Sequence, residues 1–154
     1  PKTLGCTTTG KGWRKPVGRV PGNISAVPKS AASSPCPLPG DPSLVMHTNV
    51  KLEQEAKKAF MKDMSKAVAE TLGKPESYVA VCVLDDLDMI WGGEETPCAL
   101  FTLTSLGAIN PENNSAMSSK ICSRVSDFGI PPNRYYITFM DVPRSNMGYN
   151  GSTF

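Results

Sequence analysis

Leu72-Gly73-Lys74-Pro75 ahead of Tyr78, and Phe128-Gly129-Ile130-Pro131 ahead of Tyr135, are the two stretches on which the fold turns. In each, an apolar residue meets a glycine and a proline follows two positions later, the way an amphipathic helix stops before a strand. Upstream of the first, Leu52, Ala56, Ala59, Phe60, Met64, Ala67, Val68 and Leu72 recur at intervals of three and four, which predicts a helix over 51–72. Downstream, Tyr78–Leu84 is a continuous β-rich apolar run, read as a strand covered on both faces. Ahead of that helix, Leu44, Met46 and Thr48 alternate with Val45, His47 and Asn49 as a short strand does. The second stretch has the same surroundings. Cys98–Leu106 reads as a strand turning at Gly107, and Asn110 and Pro111 read as N-cap and first helical residue. Met117, Ile121, Val125 and Phe128 mark one helix face, and Arg134–Asp141 closes as a strand. Two strand–helix–strand copies predict an α/β unit with a pseudo-two-fold axis, a four-stranded sheet with both helices on one face. Nothing in the chain covers the other face, so burial favours oligomerisation.

The 154 residues divide near Gly40-Asp41-Pro42. Seven of the 14 prolines precede Pro42, and Ser33-Ser34-Pro35-Cys36-Pro37-Leu38-Pro39-Gly40 can propagate neither helix nor sheet. Residues 1–41 are therefore read as an extension with no fold of its own, and 42–154 as the domain. Lys2, Lys11, Arg14, Lys15, Arg19 and Lys29 against Asp41 leave this arm at +5, and the rest of the chain at −3, within a net charge of +2. Charge alone does not choose among a polyanion, a membrane face and an acidic protein lattice as its partner. The expectation carried forward is an acidic protein surface or large assembly, with nucleic acid not expected. No apolar run reaches the roughly 20 residues of a membrane span. Pro1–Cys6 lacks the apolar stretch of a secretory signal, so a cytoplasmic protein is expected, with cytoskeletal or organellar association through the arm.

Cys6, Cys36, Cys82, Cys98 and Cys122 form no CxxC pair, and His47 is the sole histidine, so neither a metal nor a cofactor is expected. The thiols are read as reduced, with Cys82, Cys98 and Cys122 packed in the interior. Asp85, Asp86 and Asp88 lack the co-ligands and spacing of a calcium loop and are read as a solvated turn.

Several separate blocks resemble the macrophage migration inhibitory factor and D-dopachrome tautomerase family over 42–154. They are Thr48-Asn49-Val50, Gly73-Lys74-Pro75 with Tyr78, Gly92-Gly93, Pro97-Cys98-Ala99-Leu100, Ser105-Leu106-Gly107 and the ending Gly148-Tyr149-Asn150-Gly151-Ser152-Thr153-Phe154. The resemblance implies a homotrimer whose sheets form a central barrel, and a keto–enol tautomerase acting on small enolisable keto acids of the phenylpyruvate or dopachrome type. It implies Pro42 as catalytic base and Lys74 as the cation that binds a substrate carboxylate. Leu106 is implied as a backbone contact to substrate, and Ser43, Tyr136, Thr138, Met147, Tyr149 and Phe154 as pocket positions. A cytokine-like role is the family's second implication.

Three departures bear on activity. Pro42 follows Asp41 in a peptide bond, so its nitrogen is a tertiary amide whose lone pair is delocalised and cannot act as a base at neutral pH. Thr138 and Ser43 stand where cytokine-type members carry asparagine and methionine. Phe101 stands where the family has a second cysteine, so Cys98 has no redox partner in that motif. The expectation is thus a tautomerase domain whose activity is latent or lost while residues 1–41 stay attached. The alternative is a non-catalytic adaptor that docks into an assembly through its basic arm.

Overall fold

Alternation is the physical signature from which the sheet builds. Ser43–Thr48 forms β1, with Leu44, Met46 and Thr48 buried and Ser43, Val45 and His47 on the opposite face. The structure, a computed structural model, describes Pro42–Phe154. The basic arm expected over residues 1–41, and any partner it has, lie outside the described residues.

Helix α1 runs Gln54–Leu72 and β2 Ala80–Leu84; β3 runs Ala99–Ser105, α2 Pro111–Val125 and β4 Tyr135–Asp141. Strand order is β2-β1-β3-β4, with β1 and β2 parallel, β3 and β4 parallel, and the two halves joined by the antiparallel β1–β3 pair. This is the predicted pseudo-two-fold arrangement. Phe60, Met64, Val68 and Leu72 of α1 and Met117, Ile121 and Val125 of α2 share one core with Leu44, Met46, Phe101 and Leu103 of the central strands. Each such side chain contributes about 1.5–3 kcal/mol by leaving water. Salt bridges from Arg124 to Asp63 and from Lys120 to Glu70 tie the solvent sides of the helices together.

The structure corrects several boundaries. α1 starts at Gln54, not Lys51, because Leu52 is buried outside the helix and its N–H donates to Asp85 Oδ2 at 2.9 Å. Ala56 and Ala59, counted in the apolar stripe, are exposed. Tyr78 belongs to a single 3-10 turn, Glu76–Tyr78, and the strand begins two residues later. Among the described residues β2 is covered on one face only: Val81 and Val83 pack on the core, while Ala80, Cys82 and Leu84 are exposed. Cys82 is therefore not an interior residue, whereas Cys98 is fully buried and Cys122 half-buried.

The sequence reading also missed a hairpin, β5 (Gly148–Tyr149) and β6 (Ser152–Thr153). Its turn, Asn150-Gly151, has φ of 51° and 85°, the left-handed pair that an Asn-Gly dipeptide adopts readily. Among the described residues no helix is long and apolar enough to cross a membrane.

Candidate functional site

The antiparallel pairing of Ser43 with Thr104 sets the start of β1 beside the end of β3. Continuing that register one step places Pro42 opposite Ser105, next to Leu106. Pro42 is buried, and its carbonyl accepts from Ala80 N–H at 2.9 Å, so β2 fixes its plane. Lys74 arrives from α1. Gly73 ends that helix in the left-handed region at φ 63°, and Lys74 N–H bonds back to Ala69 O at 2.9 Å. Its ammonium then donates to Leu106 O at 2.7 Å. Lys74 is thus a half-buried, directed cation rather than a solvated charge beyond a helix end. Pro42, Ser43, Lys74 and Leu106 gather at one end of the sheet.

The C-terminal hairpin joins this end through aromatic contacts. Tyr149 and Phe154 stack with centroids 5.5 Å apart, and Tyr149 tilts against Tyr78 at 6.2 Å, on the segment that follows Lys74. Phe154 N–H donates to Met147 O at 3.2 Å, so Met147, Tyr149 and Phe154 form one unit. Tyr78, known in the sequence only as part of a block, is the side chain that links that unit to the lysine segment.

Tyr136 and Thr138 lie elsewhere. They sit on the uncovered face of β4, with Tyr136 67% exposed. Ser43 pairs with Thr104 and Thr104 with Met140, and Tyr136 is four residues farther along β4. At ~3.3 Å per residue and ~4.8 Å per strand, Tyr136 is roughly 16 Å and Thr138 roughly 12 Å from Ser43. A single chain does not bring these two residues to Pro42.

The structure adds Trp91 as Tyr136's neighbour, with ring centroids 4.4 Å apart. Trp91 sits at a Gly92-Gly93 turn closed by a backbone bridge to Glu94, in the loop between β2 and β3; Asp86 and Leu87 N–H bond to Val50 O and Thr48 O, and side chains anchor the rest. Asn49 Nδ2 donates to Glu95 O at 3.0 Å, Thr96 O at 3.1 Å and Met89 O at 3.4 Å, while its Oδ1 accepts from Cys98 N–H at 2.8 Å. Thr48 Oγ1 donates to Cys98 O at 2.8 Å, and Arg134 Nε donates to Pro97 O at 2.9 Å. Long-range side-chain-to-backbone bonds of this kind leave no periodic trace, so Trp91's position was not legible from spacing. A cleft of about 390 Å³ beneath the loop, lined by Asn49, Asp88 and Glu95 among others, lies at the far end of β1 from Pro42.

Among the described residues, Asp85 and Tyr135 titrate away from their usual values. Asp85 is held below the carboxylate range, first by its 2.6 Å bond from Lys57 Nζ and then by the Leu52 N–H. Tyr135 is pushed up to about 12 by burial and by its contact with Cys122. Neither belongs to the Pro42 cluster; both hold the frame around it. Among the described residues no group of three His, Cys, Asp or Glu side chains is placed to hold a metal.

Residues 41–154 match the family model described as "Macrophage migration inhibitory factor (MIF)". Over 114 residues the chain is 43% identical to a macrophage migration inhibitory factor homolog of Trichuris trichiura, covering 73% of this chain and 99% of that one. It is 41% identical to the homolog of Brugia malayi, covering 73% and 98%. The solved structure of the macrophage migration inhibitory factor from Trichinella spiralis superposes with a TM-score of 0.67 at 36% identity, over 73% of this chain and 99% of that chain. The matched segment is the one that carries the repeated halves, the Pro42–Lys74–Leu106 cluster and the terminal hairpin, and on that ground the chain belongs to the macrophage migration inhibitory factor family.

Proposed function

We propose that the domain is a keto–enol tautomerase for small enolisable keto acids, with Pro42 as its base, and that it is latent while Asp41 acylates the proline nitrogen. The observation that carries this reading is the convergence of a buried proline and a directed lysine ammonium on the end of β3. Once free, the Pro42 nitrogen is a secondary amine. Alpha-amino groups titrate near roughly 8, and burial favours the uncharged form, which takes a proton from the carbon beside a carbonyl. Lys74 holds the substrate's carboxylate, Leu106 N–H steadies its oxygen, and Tyr149 and Phe154 supply an apolar wall. The proton then returns to oxygen or carbon, which completes the shift.

The distant Tyr136 and Thr138 enter through a second copy. Leu84, Leu100, Tyr136 and Met140 are exposed on one sheet face, an apolar surface that a homotrimer would cover. Each site then takes its proline and lysine from one chain and its tyrosine from the next.

The test is phenylpyruvate tautomerisation by a chain beginning at Pro42. Activity is expected, with a raised KM in Lys74→Ala. Mixing Lys74→Ala and Tyr136→Ala subunits, each impaired alone, is expected to restore a fraction of turnover through hybrid sites. Absence of turnover in the parent chain would defeat the enzymatic reading, and failure of the mixture to recover would defeat the shared site.

A further inference from the structure

Ser105 is wholly buried, yet its hydroxyl meets no hydrogen-bond partner. Leaving a buried hydroxyl unpaired costs stability, and such groups in native interiors call for a specific reason. The register gives one. Pro42 stands opposite Ser105 one step beyond the Ser43–Thr104 pair. Both occupy the helix-facing side of the sheet, as the alternation with Leu44 and Leu103 requires. In the intact chain the proline nitrogen is a tertiary amide, with neither an N–H to donate nor a basic lone pair to offer. The hydroxyl's natural partner is therefore missing for as long as residue 41 is attached.

We infer that Ser105 is a positioning residue for the Pro42 amine, and that its hydroxyl accepts an N–H from that nitrogen once the nitrogen is free. This rests on the reading of Pro42 as the base. A neutral secondary amine carries one N–H and its protonated form two. A hydrogen bond from the cation is stronger than one from the neutral amine, so Ser105 favours the protonated state. Burial pulls the amine's pKa down and Ser105 opposes that pull, which keeps the base near neutral pH, where proton transfer is most effective. The same bond fixes the ring, so the lone pair is presented in one direction beside Leu106 and Lys74.

The test uses the chain beginning at Pro42, which spans all but the first residue of the segment matched by the family model and carries its own core. The pKa of Pro42 is read in two ways: from the acid limb of kcat/KM on phenylpyruvate, and by nitrogen-15 NMR titration of the proline nitrogen. Ser105→Ala is expected to lower it by about one unit, and Ser105→Thr, which keeps the hydroxyl, to stay near the parent. In the intact chain, Ser105→Ala is expected to leave Tm equal or higher, since it removes an unpaired polar atom. An unshifted Pro42 titration in Ser105→Ala would overturn the inference. So would a Tm loss of several degrees in the intact chain, because that would assign the hydroxyl a structural bond. The NMR titration needs no turnover. An inactive parent with a Ser105-dependent pKa would fault the enzymatic reading alone, and an active parent with a Ser105-independent pKa would fault this one alone.

Discussion

Removing the Asn49 side chain probes the anchoring of the loop that carries Trp91. In Asn49→Ala the Cys98 N–H loses its 2.8 Å acceptor on a residue that is fully buried. An unpaired buried donor costs about 1–3 kcal/mol. The bonds to Glu95 O and Thr96 O also vanish, but those carbonyls reach water and their loss adds about 1 kcal/mol or less in total. The total is about 1–4 kcal/mol, which corresponds to a Tm fall of about 4–16 °C in a domain of this size. Differential scanning calorimetry of the chain reads it, and hydrogen exchange at residues 89–98 should quicken before the rest. Asn49→Asp should be nearly as unstable at pH 7, since a carboxylate faces carbonyl oxygens that repel it, and should recover relative to the parent as acidification restores a donor. A Tm loss under about 3 °C in Asn49→Ala would refute the claim that this residue holds the loop.

Other expectations follow from the same contacts. Asp85 has a folded pKa below its unfolded value, so its stabilising contribution is present above about pH 3.9 and disappears as pH falls through the lower folded value. Asp85→Asn should flatten acid unfolding in that window, as followed by circular dichroism. Tyr135 has a folded pKa raised to about 12, so its contribution is complete below about pH 10 and is lost as pH climbs toward 12. Tyr135→Phe should remove that alkaline loss, read by urea midpoints at pH 9 and pH 11.5. Gly129→Ala places a Cβ on a backbone at φ 70° with nothing within 4 Å, so only backbone strain opposes it. The expected cost is about 1–2 kcal/mol by chemical denaturation.

What the sequence disclosed and what it concealed divide along physical lines. Helices and strands rest on periodicity, so the two halves and their sheet could be read from spacing. The Gly-x-Pro stop marked the end of α1, whereas α2 ends at Val125 and Gly129 caps the 3-10 turn Ser126–Phe128, so Phe128 lies just beyond the helix on which it was counted. The N-cap at Asn110 was equally legible, and its side chain does accept from Asn113 N–H at 2.9 Å. Leu52 defeated the helix boundary because an apolar residue can be buried by a loop as well as by a helix. Cys82 was misplaced because β2's apolar run presupposed cover on both sides, and the described residues supply it on one. The Asn150-Gly151 turn was a readable hairpin signal that went unused. For the site, resemblance supplied the residue identities, and the structure supplied their division: Lys74 and Leu106 touch, while Tyr136 stands a sheet's width away. Ser105 was beyond reach of the sequence, since an unsatisfied hydroxyl is a property of the packed interior.

On the proposed reading the nitrogen of Pro42 takes the proton, and its bond to Asp41 silences it. The most direct measurement compares phenylpyruvate turnover by two preparations of checked intact mass, one retaining residues 1–41 and one starting at Pro42. Turnover is expected in the second and background in the first. Equal turnover in both would mean that another group removes the proton and that Pro42 is not the base.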